Sequence, residues 1–191
     1  MLNELLLKFA TWLDGFQSST ALHESLYMYA WVESTHVLAL ILFLGMLMVI
    51  DLRLLGVAFK EVPASTIVER LDKPMMLGFV IMVVSGALLF YAIPIRSTQS
   101  IWFRIKVVLL IAAGINALLI RNMTRTSDMS WDNDPTPPKR IRVGAGLSLA
   151  LWLLVVGMGR SMAYDWWDCK KELSYFMYWA AGCVDEMAAF E

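Results

Sequence analysis

This sequence predicts an all-α integral membrane protein, a four-helix bundle with interfacial helices at its N-terminal and C-terminal ends. Three observations carry that expectation. Hydrophobic residues make up 59% of the 191 residues and charged residues only 17%, with a mean hydropathy of +0.60, a balance unlike that of a soluble domain of this size. Apolar runs recur at about the 20-residue length that crosses roughly 30 Å of hydrocarbon. Polar and proline-bearing segments separate them.

Three regions follow in order. Residues 1–26 form an amphipathic segment: Leu2, Leu5, Leu6, Phe9 and Leu13 fall at helical spacing. Asn3, Glu4 and Lys8 interrupt the continuous apolar stretch that a cleavable signal peptide needs, so an interfacial helix is expected. Residues 27–164 hold the bundle, with spans at 28–50, 75–94, 102–120 and 143–164. Pro74 and Pro94 are expected to bound the second span, because proline lacks an amide donor and restricts the residue before it. The segment TRTSDMSWDNDPTPPKR, 124–140, is expected to be a solvated, mobile loop. Residues 165–191 form a C-terminal interfacial segment, in which Trp166 and Trp167 suit the headgroup zone. Tyr175, Phe176, Tyr178 and Trp179, near Asp185 and Glu186, continue it.

Four spans divide the basic residues between two sides. Arg53, Lys60, Arg70, Lys73, Arg121, Arg125, Lys139, Arg140 and Arg142 fall on one side, and Lys8, Arg96, Arg104, Lys106, Arg160, Lys170 and Lys171 on the other, 9 against 7. Arg104, Lys106 and Arg160 lie within helix ends, so the first side reads as cytoplasmic. The expected location is a bacterial inner membrane with both termini periplasmic. Cys169 and Cys183 then share the oxidising side, where a disulfide between them is expected.

Ionisable residues inside spans are costly and mark functional sites by default. Glu33 and His36 lie about one turn apart in the first span, Lys106 about one turn into the third, and Arg160 about one turn before the end of the fourth. These four residues are expected at one depth in the outer leaflet. Arg104 and Tyr164 lie nearer the surface, and Tyr164 follows Arg160 at the spacing that shares a helix face.

Two main readings of this layer stand side by side, with proton relay or small-anion binding as a third. In one, Glu33 neutralises Lys106 or Arg160 and His36 hydrogen-bonds to a neighbouring helix, a structural or small-solute and ion-binding module. In the other, His36 is the metal ligand of haem b, with Arg104, Lys106 and Arg160 answering the propionates and Trp102 and Phe103 shielding the ring. His23 does not serve as a second ligand from the same helix, because the 13 residues between them span about 20 Å. It reads as a surface residue beside Glu24. A methionine, or His36 of a symmetric partner, would complete the iron. Met158 and Met162 could hold Cu(I), yet scattered methionines are commonly packing residues, so copper ranks below haem.

The strings ESTHVLALILFLGMLMVIDLRLLG from Glu33, GFVIMVVSGALLFYAIP from Gly78, WFRIKVVLL from Trp102 and GRSMAYDWWDC from Gly159 resemble an uncharacterised family of bacterial small membrane proteins. That family is distantly similar to the CopD-like and cytochrome b561-like helical membrane proteins. The resemblance covers roughly residues 22–169, through Glu33, His36, Asp51, Arg53, Gly56, Lys106, Gly159, Arg160 and Tyr164. It implies membership of that family and a helical membrane bundle. The third span in that family often ends in an aromatic residue and a histidine, where this chain has Ile120, Arg121 and Asn122.

Asp51 and Arg53 close the first span at a spacing that does not share a helix face. Structural anchoring is expected, each group meeting headgroups, water or another helix, with Arg53 and Asp72 a candidate pair. Gly144, Ser148 and Gly157 supply small surfaces for close helix packing. No phosphate loop, nucleophile elbow or metalloprotease motif is present. With a net charge of −1 there is no basic surface for nucleic acid. The expected function is therefore electron transfer through a bound haem b rather than enzymatic conversion. Membrane lipids and a homo-oligomer or redox partner in the membrane are the expected partners.

Overall fold

The structure, a computed structural model, describes residues 2–126, 130–164, 169 and 172–183. Trp166, Trp167, Lys170, Lys171, Asp185 and Glu186, to which the sequence assigned interfacial or topological roles, lie outside the described residues. The chain is all-α, with no strand among the described residues. Its elements are α1 (Leu2–Asp14), α2 (Gln17–Glu24), α3 (Met28–Leu54), α4 (Ala64–Ala92), α5 (Pro94–Thr98), α6 (Ile101–Thr126), α7 (Lys139–Tyr164) and α8 (Tyr175–Ala181). Four of them, α3, α4, α6 and α7, are long and apolar enough to cross a membrane and form a helical bundle. Only 11 to 33% of their most apolar windows is buried inside the protein. The rest of that apolar surface needs lipid, since a soluble monomer rarely exposes patches of such size.

The spans run past their apolar cores because backbone hydrogen bonding continues into the headgroup zone. The largest departure is α4, which begins at Ala64 and carries Pro74 in its interior, not at its start as the sequence suggested. Its beginning is set by a cap delivered from elsewhere in the chain. The Asp132 carboxylate accepts from Ser65 N at 2.7 Å and from Ser65 Oγ at 2.6 Å, and Ala64 N donates to the Asp132 carbonyl at 3.2 Å. Two of the unpaired amides of a helix start are thereby satisfied, that of Ser65 by a negative group at the positive end of the helix and that of Ala64 by a backbone carbonyl. The end of α3 is equally defined: Gly56 adopts φ +71°, and a Cβ there would lie 2.9 Å from the Pro135 carbonyl oxygen. Both the left-handed backbone and the close approach favour glycine.

The packing divides the chain into two compact units, and each long helix contributes to both. One unit comprises His36–Val83 and Val108–Val155. Its first apolar cluster centres on Phe43, which meets Phe79 at 5.3 Å and Trp152 edge-on at 4.7 Å between ring centroids. Ala39, Met82, Ala113 and Val155 complete it. Gly78 lets α4 approach α3 closely, since a Cβ there would lie 3.3 Å from Phe43 N. Such contact matters because lipid tails remove the hydrophobic drive between helices and leave packing to hold them. A second cluster joins Ile50, Leu54, Ala64, Trp131, Ile141 and Ala145. Residues 130–138 are therefore not a free loop, because Trp131 is buried in this cluster.

The other unit comprises Met1–Thr35, Val84–Val107 and Val156–Glu191. Here α1 packs against α5 and α2, and the Ser19 hydroxyl donates to the Tyr91 carbonyl at 2.7 Å. Helix α8 ends at Gly182 in the left-handed conformation, with Gly182 N and Cys183 N bonded back to Trp179 O and Tyr178 O. Cys169 and Cys183 form a disulfide, Cα atoms 5.5 Å apart. The bridge sits in an apolar cluster with Ile101 and Ala181.

Candidate functional site

The most demanding group in the unit built from His36–Val83 and Val108–Val155 is a carboxyl. Asp51 lies three residues before the end of α3, within the span, and is only 2% exposed. The Ser148 hydroxyl of α7 faces its carboxyl. The second oxygen, Oδ2, is buried and has no hydrogen-bond partner among the described residues. Ile50, Leu54, Ile141 and Ala145 surround this level with apolar side chains.

A third helix joins through Asn116 of α6, whose Nδ2 donates to the Gly144 carbonyl at 3.1 Å. Gly144 and Ser148 are four residues apart, hence one turn apart on one face of α7. Asp51 and Asn116 thus both address the same turn of α7. Ser148 and Asn116 are each 6% exposed. The close approach depends on Gly144, where a Cβ would meet Ile120 Cγ1 at 2.8 Å. What the arrangement offers chemically is one acidic oxygen without a partner among the described residues, beside a hydroxyl, oxygen groups suited to hard cations and protons rather than to soft metals.

Arg53, two residues further on, does not answer that charge. Its guanidinium is 1% exposed and points into the connecting segments. Nε donates to Val62 O at 2.7 Å, and Nη2 donates to Asp132 O at 3.0 Å and Asp134 O at 3.1 Å. Nη1 is buried without a partner among the described residues. Of the partners the sequence allows, Asp51 meets another helix, whereas Arg53 meets the carbonyls of the connecting segments and does not pair with Asp72. The physical reason is that the connecting segments fold back over the end of α3 and offer Arg53 their carbonyls, while Asp51 is buried with Ser148 of α7 beside it.

The residues singled out from the sequence fall into separate contacts. His36 is half-buried, with Nδ1 3.0 Å from the Met82 carbonyl of α4. In the other unit Glu33 is exposed and makes no ion pair with Lys106 or Arg160 among the described residues. Lys106 of α6 is half-buried, and its Nζ lies 3.5 Å from where a Gly159 Cβ would stand. The missing side chain on α7 gives the ammonium its place. Arg160 is exposed, donates to the Tyr164 hydroxyl, and stacks over that ring at 4.5 Å. Arg104 serves elsewhere: Nε donates to Thr98 O and Nη1 to Asn3 Oδ1, both at 2.9 Å. Its guanidinium fills the space that Gly182 leaves open, so it ties the N-terminal helix and the disulfide-closed tail to α6. Phe103 stacks on Phe90 at 5.4 Å. His23 meets Tyr29 edge-on at 5.9 Å and lines an open cleft of about 460 Å³ with Asp14, Arg96 and Gln99.

Sequence reasoning had named Ser148 and Gly144 for packing and had placed Asp51 at an interface. The signal for a buried role was the apolar continuation past both charges, IDLRLLG. Asn116 carried no such signal, being one polar residue in an apolar helix.

No curated protein and no solved structure matches the chain. Residues 20–165 match the model of DUF6644, a family of unknown function, and with well over half of its length covered the chain belongs to that family.

Proposed function

We propose that this protein is an ion-binding membrane module that takes up and releases one positive charge, a proton or an alkali cation, at Asp51. The observation that carries this reading is Oδ2: an acidic oxygen in a 2% exposed residue, inside a span, without a partner among the described residues. An isolated buried carboxylate costs far more than a folded protein can spare. A single positive charge on that oxygen removes the cost. One carboxylate with neutral neighbours balances a monovalent ion, whereas divalent sites gather more acidic oxygens.

Infrared spectra of purified parent and Asp51→Asn protein test the reading. A protonated-carboxyl band present in the parent and lost in the variant identifies the proton. A carboxylate band that responds to NaCl or KCl, and does so only in the parent, identifies an alkali cation. If the variant differs from the parent in neither respect, the assignment fails.

A second reading keeps His36 as a ligand of haem b for electron transfer, in line with the distant resemblance to cytochrome b561-like proteins. Its support is the contact of Nδ1 with the Met82 carbonyl, because metal-bound histidines commonly turn the other ring nitrogen to a carbonyl or carboxylate. Protein from haem-replete cells would then show a Soret band that shifts on reduction and disappears in His36→Ala. A colourless parent protein would remove this reading and leave the first untouched.

A bacterial inner-membrane location with both termini in the periplasm belongs to the same proposal. The Cys169–Cys183 disulfide supports it, since such bonds persist on the oxidising side, and so does the division of basic residues along the chain.

A further inference from the structure

We propose that residues 55–63 and 130–138 form a gate over the Asp51 site, latched by Arg53 and Asp132. The inference rests on the reading of Asp51 as an exchange site and adds how access to it is controlled. Asp51 is three residues from the end of α3, and the apolar residues Leu54, Trp131, Ile141 and Ala145 pack at that end of the unit. The two connecting segments that supply Trp131 and the start of α4 are joined through Arg53 and Asp132. Arg53 grips one segment at Val62 O and the other at Asp132 O and Asp134 O. Asp132 in turn grips Ser65 at the start of α4 through both carboxylate oxygens.

Two features make this closure breakable rather than permanent. The Arg53 guanidinium is enclosed with Nη1 unpartnered, so the closed arrangement leaves a charged donor unsatisfied that water would satisfy on opening. The start of α4 is held to the second segment through a single carboxylate, that of Asp132 on Ser65, so the loss of one side chain's bonds releases it. Opening would bring water to Arg53 and the Asp51 level together. While closed, the segments would keep Oδ2 from the medium at that end and hold its bound charge in place.

The test measures how fast Asp51 equilibrates with the medium in the full-length protein reconstituted in lipid, using the Asp51-dependent infrared band after transfer to D2O, or after addition of NaCl if an alkali cation is the occupant. Asp132→Asn keeps size and one acceptor but loses the charge of the latch. Ser65→Ala removes one of its bonds. Each should speed equilibration about tenfold, the effect of losing about 1.4 kcal/mol, while Glu69→Gln, an exposed change on α4, should match the parent. Amide hydrogen exchange over 55–63 and 130–138 should quicken in the two latch variants as an independent sign of opening. If amide exchange quickens and Asp51 still equilibrates at the parental rate, the gate is overturned and the exchange site stands. If neither quickens, the latch role of Asp132 is overturned. If Asp51→Asn leaves every carboxyl band unchanged, the exchange site itself falls and the gate with it.

Discussion

Replacing Asp51 by asparagine separates an exchangeable counter-charge from a fixed one. Asparagine keeps the shape and the acceptor that faces Ser148 and removes only the capacity to carry negative charge. If Oδ2 is matched by a proton or an alkali cation, site and occupant are together neutral, and Asp51→Asn exchanges one neutral arrangement for another. The expected loss is that of one imperfectly replaced buried hydrogen bond, about 1 kcal/mol. For a chain of this length that corresponds to a Tm lower by roughly 2–4 °C. Were Asp51 ionised against a fixed protein cation, its neutralisation would strand that cation at a cost of about 3–5 kcal/mol. Unfolding in mixed micelles by SDS titration, followed by circular dichroism, measures the difference. Adding Ser148→Ala closes a double-mutant cycle, in which a coupling above about 0.5 kcal/mol is expected for groups in direct contact. A loss above 3 kcal/mol for Asp51→Asn alone would refute the reasoning, because it would reveal a fixed partner for the carboxylate.

Three further outcomes follow from the contacts described. Removing the disulfide by Cys169→Ser should loosen Tyr175–Ala181 by roughly 3 kcal/mol in the chain-entropy model for a loop of about 15 residues, read as faster amide exchange there; thiol labelling of the denatured parent should appear only after reduction. Gly78→Leu should force α4 away from the Phe43 backbone and cost at least about 1–3 kcal/mol as overpacking, measured by the same SDS titration. Glu33→Gln should change stability by less than about 0.5 kcal/mol, since Glu33 is exposed and unpaired with Lys106 or Arg160; a larger loss would restore it as a buried partner.

The fold was legible because membrane spans announce themselves by composition alone. Twenty apolar residues in a row admit few alternatives, so α3, α4, α6 and α7 appear where the runs predict them, and Leu2, Leu5, Leu6 and Phe9 mark α1 by spacing. What composition does not encode is where a helix begins outside its apolar core. Pro74 looked like a boundary because proline breaks the hydrogen-bond ladder, yet the start of α4 is decided by Asp132, distant in sequence, whose carboxylate caps Ser65. A segment rich in Asp, Asn and Pro read as a free loop for the same reason. Nothing local shows that Trp131 is buried against Ile141 and Leu54 or that Arg53 is waiting for its carbonyls.

The site was harder to read because depth was inferred from distance along a run of apolar residues. By that measure Glu33 and His36 sit inside the first span and Asp51 sits just past it, so the penalty for a buried charge was assigned to the former pair. Burial depends instead on what folds over the helix end. Glu33 lies on an exposed face of α3, whereas Arg53 meets the carbonyls of residues 62, 132 and 134 and Asp51 has Ser148 of α7 beside it, both among the least exposed polar residues described. Each has one polar atom without a partner among the described residues, Oδ2 and Nη1. Opposite charges two residues apart on one helix could have been paired had the backbone turned them together. They are held apart by separate partners, Ser148 for one and three loop carbonyls for the other. Arg53 supplies donors to three carbonyls, a role no apolar side chain could fill, whereas a structural role alone gives no reason for an acid at position 51. An acid kept available inside the bundle and a cation that fastens the segments above it are the arrangement expected of a site that must both hold a charge and let it go.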